Sequence, residues 1–487
     1  ITKANSNTAV ALNISSGWYE GALSSEGTDN TVYSITGGTF SESKATVDGY
    51  CALGYSAVAN DPSTGYCTVR IPVVAKIGTT EYPTLQAAVD AASTMTGDVT
   101  IELVDNTAEA VVIKKQSGLN LTIDGKNKTL TGQLIVAGRG LTTEVLTITN
   151  LNFAYDASLM ETGTGFISFP DTRGTANRWS TNSYNYAHNI NVTYCNFDGT
   201  GGGATSVAGV AVPSIGGGMS DFTIDHCTAA NMHSLAQFTG VDNVTVTNCK
   251  AVENMYHGIS ITTGAGDFII TNDTITVNND YAIRVKGGGT RNVTLSGDSV
   301  NGPNAIVMDN STTSTVLYIT DGHYYGNITP SSSDATTYSF TGGTFTEPKS
   351  EIDGYCAPSY IGIADDPSAG YCTIRKDRPF LFMDSTDVVC FGENNGTDTV
   401  RIQGGTPPFQ LVLSSSVLTK NDTVNLTGRI HIYTDLKPGS YTVTVTHAGG
   451  TEVVTGTFTI NEPPVLEITA FDVPQRPCPL MGSGNYD

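Results

Sequence analysis

Positive charge is scarce in this chain. Its 487 residues hold 24 Lys and Arg against 46 Asp and Glu, a net charge of −22 with only 14% charged residues. Neutralising phosphates needs a basic surface, so nucleic acid is not the expected partner. No run of 18 or more apolar residues occurs, so no segment is long enough to cross a bilayer as a helix. No signal peptide opens the chain, and Ile1 falls inside a repeat, which reads as a fragment or a processed product. The nine cysteines come with neither a CxxC pair nor clustered His, which argues against a zinc site. No acidic cluster is plainly built for structural Ca²⁺, so no cofactor or metal is expected. What is abundant is Gly (53 residues) and alternating Val, Ile and Thr. That is an all-β signal.

One phrase occurs twice. DPSTGYC stands at 61–67 and DPSAGYC at 366–372, an offset of 305, and segments 31–70 and 336–375 share 25 identities in 40 positions without a gap. The match extends upstream, since ISSGWYEGALSSEGTDNTVYSITGGTF at 14–40 parallels ITDGHYYGNITPSSSDATTYSFTGGTF at 319–345. The first residues therefore read as the last coil and end-cap of an earlier module.

Between the copies a strand recurs as FTIDHC from 222, VTVTNC from 244, FIITND from 268, VTLSGD from 293 and LYITDG from 317, in steps of 22, 24, 25 and 24. A second strand keeps step: SLAQFTG from 234, GISITTG from 258, AIRVKGG from 282 and AIVMDN from 305. A fixed period of this length predicts a parallel β-helix whose coils share one apolar core. In that register Cys195, Cys227, Cys249, Asp273 and Asp298 form one inward row, and Tyr194, His226, Asn248 and Asn272 form the row before it, at a sharp turn. Sequons at Asn120, Asn191, Asn243 and Asn292 follow from the T-x-T habit of these strands and carry little weight.

YPTLQAAVDAAS, from Tyr82, is the one amphipathic helix, with Leu85, Ala88, Val89 and Ala92 on its apolar face. Placed at the N-terminal end, it would cover the first coil's unpaired edge. The repeated phrase would close the far end as a hairpin of residues 58–60 and 66–70. Cys51/Cys67 and Cys356/Cys372 share one spacing and are expected to be disulfides that staple equivalent caps, the alternative being four buried thiols.

The run TGGTF, an end hairpin, then KIGTTEYPTLQAAVDAA resembles right-handed β-helix modules of large bacterial surface proteins, over residues 1–376. After Asp377 the chain is similar to the SprB repeat of Bacteroidetes surface adhesins, through Cys390, Gly396, Gly404, Gly405, Thr406, Pro407, Pro408, Gly439, Tyr441, Pro463 and Pro464. That resemblance implies an Ig-like β-sandwich, a cell-surface setting and type IX secretion. It departs where such repeats often carry a second Cys and this chain has Gly449, Gly450 and Thr451, so Cys390 is free or finds Cys478. The expected domains are 1–75 (end of a preceding module), 76–376 (a complete β-helix module), 385–470 (the Ig-like unit) and 471–487 (a linker or the start of the next module).

HGIS at 257–260 and IRVKG at 283–287 look like elements of polygalacturonases. Hydrolysis by that route needs carboxylates set closely about the scissile bond, and the neighbouring coils offer no such pair. The plainer reading turns Ile283 and Val285 inward and stacks Lys286 beside Asp309 as a surface ion pair. A binding surface is the stronger candidate. The insertion at 170–189 carries Arg173, Arg178, Trp179, Tyr184, Tyr186 and His188, and a Gly-rich insertion, GTGGGATS at 199–206, lies in the next coil. Aromatics flanked by hydrogen-bonding groups suit sugar rings; the competing account is that they merely cover an irregular coil. The expectation is a non-enzymatic extracellular stalk or adhesin of a bacterial cell surface, with glycans, other surface proteins or further modules of the same chain as partners. The rival is a β-helix polysaccharide hydrolase or lyase.

Overall fold

In a computed structural model of the chain, residues 2–3, 11–25, 32–59, 65–115, 117–138, 143–160, 165–169, 188–202, 207–212, 219–311, 315–366, 370–448 and 452–469 are described. They divide into two compact units, Ile1–Ala357 with Gly362–Arg375, and Pro358–Ile361 with Lys376–Asp487.

The first unit is a parallel β-helix. One sheet runs through Gly97–Leu103, Leu119–Asp124, Leu146–Thr149, His188–Thr193, Met219–Asp225, Val241–Thr247, Gly266–Thr271, Arg291–Ser296, Thr315–Ile319 and Thr337–Phe340, each strand parallel to the next. The expected row is a true register: Phe222, Val244, Phe268, Val293 and Leu317 are successive partners. The second row aligns Ala236, Ile259, Ile283 and Ile306, one position off the expected start at Ser234. Between the sheets lies one continuous apolar interior in which Phe153, Phe166 and Phe197 stack with centroids 5.0–6.1 Å apart.

Corners are made by left-handed residues. Asn150, Tyr194, His226, Asn248 and Asn272 have φ between 52° and 58°, and each donates its backbone N–H to the following coil. Asn suits this conformation, whereas an aromatic is strained by it. Tyr194 is 56% exposed and stacks on His226 at 4.8 Å. Tyr194→Asn should therefore stabilise the fold by about 0.5–1 kcal/mol in chemical denaturation, because relief of strain exceeds the exposed ring contact. The sequon residues Asn120, Asn243 and Asn292 spend their amides on Asp98, Asp221 and Asp267 of the preceding coil.

The expected Cys/Asp row is buried throughout, with Cys195, Cys227, Cys249, Asp273 and Asp298 at most 2% exposed. Contact with the neighbouring thiol, then burial, keeps Cys227 and Cys249 protonated. Cys249 N–H donates to Asp273 Oδ1 (2.6 Å) and Asp273 N–H to Asp298 Oδ1 (2.9 Å). Burial pushes the two carboxyls up to about 7 and about 8 respectively.

Helix Leu85–Ala92 buries Leu85, Ala88, Val89 and Ala92, the expected face. Its first N–H groups are held by Glu109, and Gln86 exchanges hydrogen bonds with the backbone of Val112 like one residue of a missing strand. The first coil's edge is thus satisfied rather than left open.

The two copies of the repeated phrase share the contacts that close them. Phe40 pairs antiparallel with Cys67, and Phe345 with Cys372. Thr39 meets Thr68, and Thr344 meets Thr373, both at 3.0 Å. Asp48 and Asp353 accept the N–H of Ala57 and Gly362 while pairing with Lys44 and Lys349. Ser56–Ala59 and Cys67–Arg70 form the expected hairpin; its DPSTG tip falls outside the described residues. The expected staples are corrected, however. Cys51, Cys67, Cys356 and Cys372 are thiols. Cys51, Cys67 and Cys356 donate to the carbonyls of Val47, Glu42 and Ile352. Burial, with Asp353 and Cys372 behind it, lifts Cys356 to about 11, and burial likewise raises Cys51 and Cys67, so the reactive thiolate is suppressed. What closes each cap is the antiparallel pairing and the Asp-anchored turn.

The second unit has two antiparallel sheets. One contains Phe380–Thr386, Gly396–Gln403 and Ile430–Leu436; the other contains Asp422–Leu426, Phe409–Ser415, Gly439–His447 and Val454–Ile460. Alternate residues of both sheets, including Val400, Ile402, Leu411, Tyr433 and Val443, meet in one core. Cys390 is an exposed thiol, and Cys478 lies outside the described residues.

Candidate functional site

In each coil a turn follows the short strands Asn196–Asp198, Thr228–Ala230, Lys250–Ala251 and Thr274–Thr276 and leads to a longer strand. These turns stack, and between them lies an open cleft of about 420 Å³ lined by Gly199, Thr200, Gly201, Asn231, Asn254, Asn278 and Asn279. Asn231 and Asn254 are placed there by backbone demand, with φ of 55° and 54°. Stacking then links their amides: Asn254 donates to Asn231 (2.8 Å), which donates to Thr200 Oγ1 (3.0 Å) and Asp198 Oδ1 (3.3 Å). Burial raises the Asp198 carboxyl, but hydrogen bonds from Thr200 and Asn231 outweigh it and hold the group below its ordinary range. Asp198 is therefore an occupied anion rather than an available acid.

Beside the cleft, the next residues of the same turns build a ring cluster. His257 stacks on Tyr281 at 4.0 Å and meets His233 and Tyr256 at 4.7 and 4.5 Å. His233 Nδ1 is 2.7 Å from Gln237 Nε2, and His257 Nε2 lies 3.3 Å from Asp280, which is 54% exposed. Burial above all, then His233, lowers His257 to about 4, and burial lowers His233 as well. Both imidazoles are neutral at neutral pH. His257 and Tyr281 are buried, at 9% and 5% exposure, whereas His233 and Tyr256 are half-buried and leave part of their rings at the surface beside amide and imidazole groups. Among the described residues no group of three His, Cys, Asp or Glu is arranged to hold a metal.

Of the residues singled out in the sequence, Arg173, Arg178, Trp179, Tyr184 and Tyr186 lie outside the described residues. His188 opens a strand and bonds Ser220 Oγ at 2.7 Å. The Gly-rich insertion contributes Gly199, Thr200 and Gly201 to the cleft. The HG of HGIS has a packing explanation, because a Cβ on Gly258 would lie 2.1 Å from the Ala282 carbonyl oxygen. Ile283 and Val285 are fully buried, and Lys286 stands 3.9 Å from Asp309, as the register requires. Sequence reasoning missed Asn231, Asn254 and Asn278, although their steps of 23 and 24 carry the coil period.

No family model matches this chain, and no curated protein matches it. A solved structure, the A-module of the mannuronan C-5 epimerase AlgE6 of Azotobacter vinelandii, is similar at 14% identity over 53% of this chain and 75% of that one, with a TM-score of 0.18. A likeness at that level carries no functional argument.

Proposed function

We propose that this chain is a stretch of a modular, non-enzymatic surface protein whose β-helix binds a glycan in the amide-lined cleft. The observation that carries the reading is the rim itself. Asn231, Asn254, Asn278 and Thr200 present neutral donors and acceptors beside the rings of Tyr256 and His233, a surface matched to hydroxyl-rich, flat-faced sugars. The Asp198 carboxylate is committed to Thr200 and Asn231, which speaks against its serving as one half of an acid–base pair around a scissile bond. The duplicated end-cap at an offset of 305 supports a tandem array. The Tyr441 hydroxyl, donating to Lys437 O at 2.8 Å in a two-sheet unit, supports an Ig-like fold of the SprB-repeat kind. An extracellular bacterial location with type IX export goes with that resemblance.

A glycan-array screen run with a reducing-sugar release assay tests the reading. Specific binding without release is expected, and Asn254→Ala should weaken that binding about tenfold, since it removes one hydrogen-bonding amide and unlinks Asn231. Release of sugar would assign the cleft to a hydrolase or lyase instead.

A further inference from the structure

Two cations project from the outward face of the strand Tyr281–Lys286, and the next coil treats them differently. Lys286 stands opposite Asp309 and forms an ion pair with it at 3.9 Å. Arg284 stands opposite Val307, which offers no charge. It is half-buried, with its guanidinium carbon 5.3 Å from the centre of the Tyr281 ring. Its Nε is shielded from water without an acceptor, and no carboxylate lies within 4.0 Å of it among the described residues. On the coil before, Ser260 is its register partner, and Gln237 is the partner of Ser260.

Shielding one nitrogen of a guanidinium from water without an acceptor is costly. In a chain where acids outnumber bases 46 to 24, a purely structural arginine could readily have been matched. The group is instead left with its fork unclaimed on the same face as the ring cluster. We infer that Arg284 receives the carboxylate of an acidic sugar, so that the glycan bound in the cleft is one containing uronic or sialic acid. This rests on the glycan-binding reading above. The planar fork suits a two-oxygen carboxylate, and Ser260 can supply a further hydroxyl contact. Phosphate recognition would favour several converging cations, and Lys286 is already paired. The four residue steps from Asp280 to Arg284 span about 13 Å of extended chain, within reach of one oligosaccharide that also fills the cleft. Asp280 repels a second carboxylate at the cleft end and orients the chain with its acid toward Arg284.

The test titrates the full chain with polyuronate oligosaccharides, sialylated oligosaccharides, and each of these with its carboxyl groups reduced to alcohols. The acidic form of one class should bind at least tenfold more tightly than its reduced form, with the margin shrinking as salt is raised. Arg284→Gln should abolish that margin, Lys286→Gln should leave it, and Asn254→Ala should weaken both forms alike; thermal denaturation checks that each variant is folded. Equal binding of acidic and reduced forms, or a margin that survives Arg284→Gln, overturns this inference while leaving glycan binding intact. Binding of no form overturns the glycan reading and this inference with it.

Discussion

Asp298→Asn should stabilise the protein at pH 9 by roughly 3 kcal/mol and leave it nearly unchanged below about pH 4. Asp298 is fully buried, its Oδ1 accepts the Asp273 N–H, and its Oδ2 lies 3.5 Å from the Tyr324 hydroxyl. No cation among the described residues offsets its charge. Burial first, and the Asp273 charge second among the effects that raise it, push its carboxyl up to about 8, with Asp273 at about 7. Both values lie above the roughly 3.9 of an unfolded Asp. The folded state therefore binds protons that the unfolded state has released, so the contribution of these two groups to stability is greatest below about pH 4 and is lost as pH rises from there through about 7 and 8. Asparagine keeps the acceptor and imitates the protonated acid. The gain stays below the full 1.36 kcal/mol per pKa unit because the interior relaxes around the charge. Denaturant midpoints measured from pH 4 to 9 decide the matter: the wild-type curve should slope downward and that of Asp298→Asn should be flatter. Parallel curves would mean that Asp298 is not the titrating group.

A change of similar size and opposite sign is expected at Arg291, which is 1% exposed. Its Nε donates to Thr315 Oγ1 at 3.2 Å, and one terminal nitrogen reaches Lys286 O, Gly287 O and Asn310 Oδ1 at 3.0, 2.5 and 2.6 Å. The guanidinium serves a corner of the coil where backbone carbonyls turn inward. Arg291→Met fills similar space but removes the donors, leaving Gly287 O and Asn310 Oδ1 bare, whereas Lys286 O keeps the Thr263 N–H. Two unsatisfied buried acceptors cost about 3 kcal/mol together. Arg291→Lys, with a shorter reach and no fork, should lose about half of that. Equal midpoints for Arg291→Met and wild type would indicate that water enters the corner and substitutes for the side chain.

Much of the β-helix was legible because its physics is periodic. A strand that must lie on its predecessor repeats its apolar positions, so Phe222, Val244, Phe268, Val293 and Leu317 announced their own stacking. The same period placed Lys286 beside Asp309 and buried the Cys195-to-Asp298 row. The thiols show where such reasoning stops. Duplicated spacing placed Cys51 near Cys67 and Cys356 near Cys372 in equivalent caps, but spacing does not say where a sulfur points, and three of these thiols point at backbone carbonyls. The cleft was only half legible: the Gly-rich insertion drew notice, whereas Asn231, Asn254 and Asn278 read as ordinary turn residues.

By itself, the sequence determined the coil period, the helix that covers the first coil, the duplicated end-cap and the inward rows, since each follows from local alternation and spacing that hold wherever the coil goes. Only the tertiary structure decided what the outward and corner residues do. Residues 23 or 24 apart become neighbours only after stacking, and stacking sets which charges find partners and which groups lose water. That is why Lys286 is paired and Arg284 is not, and why burial raises the carboxyls of Asp273 and Asp298.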